Sequence, residues 1–105
     1  MSLVKSFTTD GVLDGKQNVV FGISASTLPD PTNPPSGPLM VTVRDDSAFG
    51  GNGIILARIV IGGAEGGMQS VIFPAGVRCT NGVAITITQP TPNPHTDVHI
   101  TIDYS

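Results

Sequence analysis

Residues 97–104, DVHITIDY, alternate polar and apolar along their whole length. A period of two belongs to a β-strand: Val98, Ile100, Ile102 and Tyr104 fall on one face, and Asp97, His99, Thr101 and Asp103 on the other. Residues 83–88 repeat the pattern, with Val83, Ile85 and Ile87 opposed to Ala84, Thr86 and Thr88, and their β-branched side chains suit a pleated surface. A chain whose clearest periodicity is two builds sheets. Its 13 Gly and 9 Pro follow no period, so they punctuate short elements and leave little room for helices.

Further short apolar runs bounded by Gly, Pro, Asn or Asp lie at Leu3–Phe7, Asn18–Ser24, Met40–Arg44, Ile54–Ile61, Ser70–Phe73 and Gly76–Thr80. Together with the two alternating segments they predict an all-β fold, an antiparallel β-sandwich, and eight strands suit a jelly roll in particular. At 105 residues the chain has room for one domain around one core. Ile54–Ile61, IILARIVI, is too short between its flanking glycines for an average helix and is expected to be a strand. Apolar on both alternating sets except at Arg58, it reads either as a central strand covered on both sides or as one with a face in a subunit contact. Asn81-Gly82 predicts a type I′ hairpin, since both residues tolerate positive φ. Pro74-Ala75-Gly76 predicts a second corner, returning Val71 and Phe73 beside Val77 and Cys79.

Charge excludes some functions. Only 12% of residues are charged, the net charge is −3, and Lys5, Lys16, Arg44, Arg58 and Arg78 are scattered, whereas binding a phosphate backbone needs a basic patch. No nucleic-acid partner is expected. No apolar run approaches the roughly 18 residues of a membrane span, and MSLVKSFTTDG lacks the apolar stretch of a secretory signal, so the expectation is a soluble chain made in the cytoplasm. The single cysteine, Cys79, permits no intrachain disulfide and reads as a small buried apolar residue.

Candidate chemistry is sparse. His95 and His99 would share a face of a helix, but on a strand four residues span about 13 Å, too far for one zinc ion. Asp10-Gly-Val-Leu-Asp14-Gly lacks the spacing of a calcium loop and reads as a turn. Asp45 and Asp46 are adjacent, point apart on a strand, and suit turn capping better than acid–base work. The Gly-rich stretches 50–53 and 62–67 lack the Lys-Ser/Thr of a phosphate loop, and no Gly-x-Ser-x-Gly element occurs. Neither an enzyme nor a cofactor is expected. Arg58 stands alone in an apolar strand and needs a partner: Asp103, Asp46 or Glu65, of the same or a neighbouring copy. Leu28–Pro38 is polyproline-like and reads as a crossover between sheets or as an arm lying on a neighbour. QPTPNPH is expected to be an ordered loop without strand. From these segments Pro29, Pro31, Pro34, Pro35, Arg58, Pro90, Pro92 and His95 are the candidate subunit contacts.

The last third, FPAGVRCTNGVAITITQPTPNPHTDVHITIDYS, resembles the endings of small virion proteins of tailed bacteriophages. The likeness is carried by the aromatic-Pro-x-Gly corner (Phe73, Pro74, Gly76), by Asn81 and Gly82, and by the strands Val83–Thr88 and Val98–Tyr104. It implies a structural component of the virion, most of all a capsid decoration (cement) protein that binds the major capsid protein at capsomer junctions. The alternative it implies is a glycan- or receptor-binding or adaptor module of a tail or neck appendage. Such proteins commonly act as homotrimers on the capsid surface, after synthesis in the host cytoplasm. A mean hydropathy of +0.21 accords with apolar strands buried against sister copies.

Overall fold

Strand pairing follows one rule along the chain. In the computed structural model, which describes residues 3–13, 18–28, 32–47, 52–61 and 67–105, the strands are β1 (Leu3–Phe7), β2 (Gly11–Leu13), β3 (Asn18–Leu28), β4 (Leu39–Asp45), β5 (Ile54–Ile61), β6 (Gly67–Cys79), β7 (Val83–Thr88) and β8 (Asp97–Tyr104). β1 pairs with β8, β2 with β7, β3 with β6 and β4 with β5, all antiparallel. The chain is thus one long ribbon doubled back between β4 and β5. Rolling that ribbon brings β8 against β3 and β7 against β4, giving two four-stranded sheets of order β1-β8-β3-β6 and β2-β7-β4-β5. This is the eight-stranded jelly roll, a sandwich built as two Greek keys.

Alternation decides which side of each sheet is dry. In the first sheet Ile23, Ala25, Ile100 and Ile102 point inward; in the second, Val41, Val43, Ile59, Val83 and Ile85 do, and all belong to one buried cluster. Each such aliphatic side chain removed from water contributes about 1.5–3 kcal/mol, and together they hold the sheets face to face. Cys79 lies in this cluster with no solvent exposure, as its sequence context predicts.

Four local expectations are corrected. Asn81-Gly82 makes no hairpin, because β6 and β7 lie in different sheets and the pair carries the chain across the sandwich. The Asp45 carboxylate fixes that crossing by accepting hydrogen bonds from Thr80 N (3.3 Å) and Asn81 N (2.9 Å). Gly82, at φ +135°, is required there, since a Cβ would stand 2.8 Å from the Asp46 carbonyl oxygen. Pro74-Ala75-Gly76 is no corner either: β6 runs through it as one 13-residue strand. Val77 pairs with Val20 and Ile72 with Gly22, so four residues, Phe73 to Gly76, bulge opposite Phe21 alone. Pro74, which has no N–H to give a ladder, sits where none is needed. β5 is not central but the edge of its sheet. Finally, Gly11–Leu13, read from the sequence as part of a turn, is the short strand β2, paired with β7.

Candidate functional site

Two regions of the fold gather the residues singled out from the sequence. The first is the end of the sandwich where the proline-rich segments meet. Pro29 and Pro31 lie outside the described residues. The described part of their segment, 32–38, leads from the first sheet towards β4 in the second and is fastened to the loop between β7 and β8. Ser36 N donates to the Asn93 carbonyl (2.9 Å), and Asn93 N donates to Ser36 Oγ (2.9 Å). His95, only 3% exposed, donates from Nε2 to the Gly37 carbonyl at 2.9 Å. The Gln89 amide grips the His95 backbone on both sides, accepting from its N–H at 2.9 Å and donating to its carbonyl at 3.0 Å. Pro35 is buried too, and Pro90 half-buried, while Pro34 and Pro92 are exposed. His95 and Pro35 are therefore engaged inside their own chain.

The second region is the flank where the edge strands β5 and β6 stack. Among the described residues, each has an outer backbone edge without a strand beside it. Ile54, Met68 and Ile72 on these strands are 75%, 71% and 74% exposed. Large aliphatic side chains thus stand exposed beside two open edges, and bare edges of this kind can recruit further strands. Arg58 lies here, opposite Thr42 on the outer face of the second sheet, between exposed Ile55 and Val60. Among the described residues it has no ion pair. Of its expected partners, Asp46 accepts from Gly53 N at 2.9 Å, Glu65 lies outside the described residues, and Asp103 faces outward from the other sheet.

Beside this flank, the outer face of the first sheet carries a hollow of about 380 Å³. Its origin is the bulge. Phe21 is an extra residue relative to β8, while β6 spends four residues opposite it, and of these Phe73 and Pro74 line the hollow together with Ile72. Gly76, at φ +77°, lets this turn close over Phe21, whose ring would lie 2.9 Å from any Cβ there. The floor is small and polar: Gly22, Ser24, Ser70 and Thr101, with Ser24 Oγ donating to Ser70 Oγ at 3.4 Å. Asp103 lines the same hollow, and its Oδ1 is buried without a hydrogen-bond partner. Sequence reasoning missed this site, since its residues come from β3, β6 and β8 and only the bulge assembles them. A second hollow, of about 330 Å³, lies at Thr9, Asp10 and Ile87, where Asp10 Oδ1 accepts from Ile87 N at 2.7 Å.

The remaining titratable groups have local roles. His99 Nε2 and Asp97 Oδ1 pair at 2.8 Å on an exposed face, and the described residues contain no group of three or more His, Cys, Asp or Glu able to hold a metal ion. Asp45 and Asp46 cap turns, as their adjacency predicts. Burial, and secondarily the Asp45 carboxylate, push the Cys79 thiol up to about 11, so it stays protonated and unreactive at neutral pH. No protein-family model, curated protein or solved structure matches the chain. The fold and surface define a class: a jelly-roll domain with an open apolar flank and an acidic, aromatic-walled hollow beside it.

Proposed function

We propose that this chain is a structural component of a bacteriophage particle, a decoration protein that cements the head as a homotrimer by binding the major capsid protein at capsomer junctions. The observation that carries the reading is the β5–β6 flank, where exposed Ile54, Ile55, Val60, Met68 and Ile72 remain in water on an isolated chain. Burying such side chains against protein is favourable at about 25 cal/mol per Å², and a durable contact needs more than about 1,000 Å² in all. The resemblance of the last third to virion proteins supplies the setting. The protein acts by adding buried area between neighbours, with no bond made or broken and no cofactor.

The test is binding to particles. Purified protein added to virions stripped of it is expected to co-sediment at fixed stoichiometry and to raise the temperature at which the heads release DNA. Absence from mature particles, or binding that leaves head stability unchanged, sinks the proposal. Glycan recognition is the rival, and the hollow favours it to this extent: hydroxyls, a carboxylate and the Phe21 ring suit a sugar. Specific glycan-array binding that disappears in Asp103→Asn would replace the cement reading with that one.

A further inference from the structure

We infer that Arg58 of one copy inserts into the Phe21–Phe73–Asp103 hollow of the next, joining copies head to tail. The inference rests on the reading of the chain as a self-associating shell component and names the contact that reading leaves open.

The argument starts from two incomplete groups. The Asp103 carboxylate is partly withdrawn from water and its Oδ1 accepts no hydrogen bond. A carboxylate desolvated without a partner is costly, and a cation beside it offsets that cost. Among the described residues no basic side chain lines its hollow. Arg58 is the complement: a charge on an edge strand, flanked by exposed aliphatics and without an ion pair among the described residues. A guanidinium suits this hollow better than an ammonium. Its plane stacks on a phenyl face such as that of Phe21, and its five donors match a carboxylate together with the hydroxyls of Ser24, Ser70 and Thr101.

Topology forbids the pairing within one chain. Ser24, Ser70 and Thr101 stand in one cross-strand row on the outer face of the first sheet. Arg58 stands opposite Thr42, which alternates with the inward Val41 and Val43, so it faces out from the second sheet. Knob and socket thus lie on opposite sides of the sandwich. Contact between unlike patches is heterologous, and such a contact closes into a ring when the rotation between copies allows. The apolar surroundings match as well, with Ile55 and Val60 beside the knob and Met68 and Ile72 on the strand that walls the socket.

Charge reversal tests this on the purified protein, without particles. Wild type is expected to sediment at a multiple of 10.8 kDa. Arg58→Glu and Asp103→Arg are each expected to sediment at the single-chain mass, and the double variant, with the pair reversed at every contact, to recover the assembly. Gly22→Val checks the socket without altering charge. A Cβ at Gly22 meets only the Val71 carbonyl, at 3.6 Å, so the valine fits the strand while filling the hollow, and it too is expected to dissociate the protein. Circular dichroism confirms that each variant keeps its strands. A monomeric wild type, an assembly indifferent to Arg58→Glu or Gly22→Val, or a double reversal that stays monomeric overturns the inference. Particle binding by a protein whose assembly ignores these changes leaves the functional reading standing and removes only this contact.

Discussion

The proline-rich end and the β5–β6 flank are built from similarly uncharged sequence, yet they present opposite surfaces. At the end, backbone groups and the Nε2 of His95 find partners across the two loops, while its buried Nδ1 does not, and the segments close on each other. At the flank, the edges of β5 and β6 and the aliphatic side chains around them find none among the described residues. The contrast shows that similarly uncharged sequence can close on itself in one place and stay open in another. Groups already paired inside a chain have little left to gain from a neighbour; unpaired ones do.

The strongest way to break the comparison is to remove the ring at the closed end. His95→Ala deletes a buried side chain and leaves the Gly37 carbonyl without its donor, with an expected loss of about 2–3 kcal/mol in urea unfolding and no change in association. A loss under about 0.5 kcal/mol would mean that the loops do not depend on it. Next is Asp45→Ala, which frees the Thr80 and Asn81 amides and is expected to cost about 1–2 kcal/mol by the same measurement. At the flank the order of effects reverses. Met68→Ser and Ile72→Ser are each expected to change unfolding by less than about 0.5 kcal/mol, because both side chains are exposed in the isolated chain, while lowering particle binding.

The smallest effect is on pH dependence. The Cys79 thiol is raised from 9.0 to about 11 by burial and by Asp45, so the folded chain holds this proton more tightly than the unfolded one. Its contribution is complete below pH 9 and is lost as pH rises towards 11. Cys79→Ala is expected to flatten that part of the stability profile. An equally steep fall in the variant would assign the alkaline loss to other groups.

What the sequence made legible was periodicity. Val98, Ile100 and Ile102 face the core as their alternation requires, and Ile54–Ile61 is a strand. Neighbourhood was not legible. An Asn-Gly pair has the same turn chemistry whether it joins two strands of one sheet or crosses between sheets, and in a rolled ribbon only β4 and β5 pair with a sequence neighbour. For the same reason Ile54–Ile61 read equally as a central strand or as one with a face in a subunit contact; its place at the edge of the sheet removes the first reading. Arg58 stood out as a charge without a partner, whereas the hollow required Phe21, Phe73 and Asp103 to be placed by a bulge that no local pattern announces.

The place of β8 carries a consequence for how the protein is made. Of the strands described it comes last in sequence, yet it lies between β1 and β3, with Leu3 opposite Tyr104. On the ribosome the first strand therefore waits without a neighbour until residues 97–104 emerge, and pairings so distant in sequence close slowly. Until then β3 and β6 can pair but the edges of β1 and β3 that β8 will cover stay open to other chains.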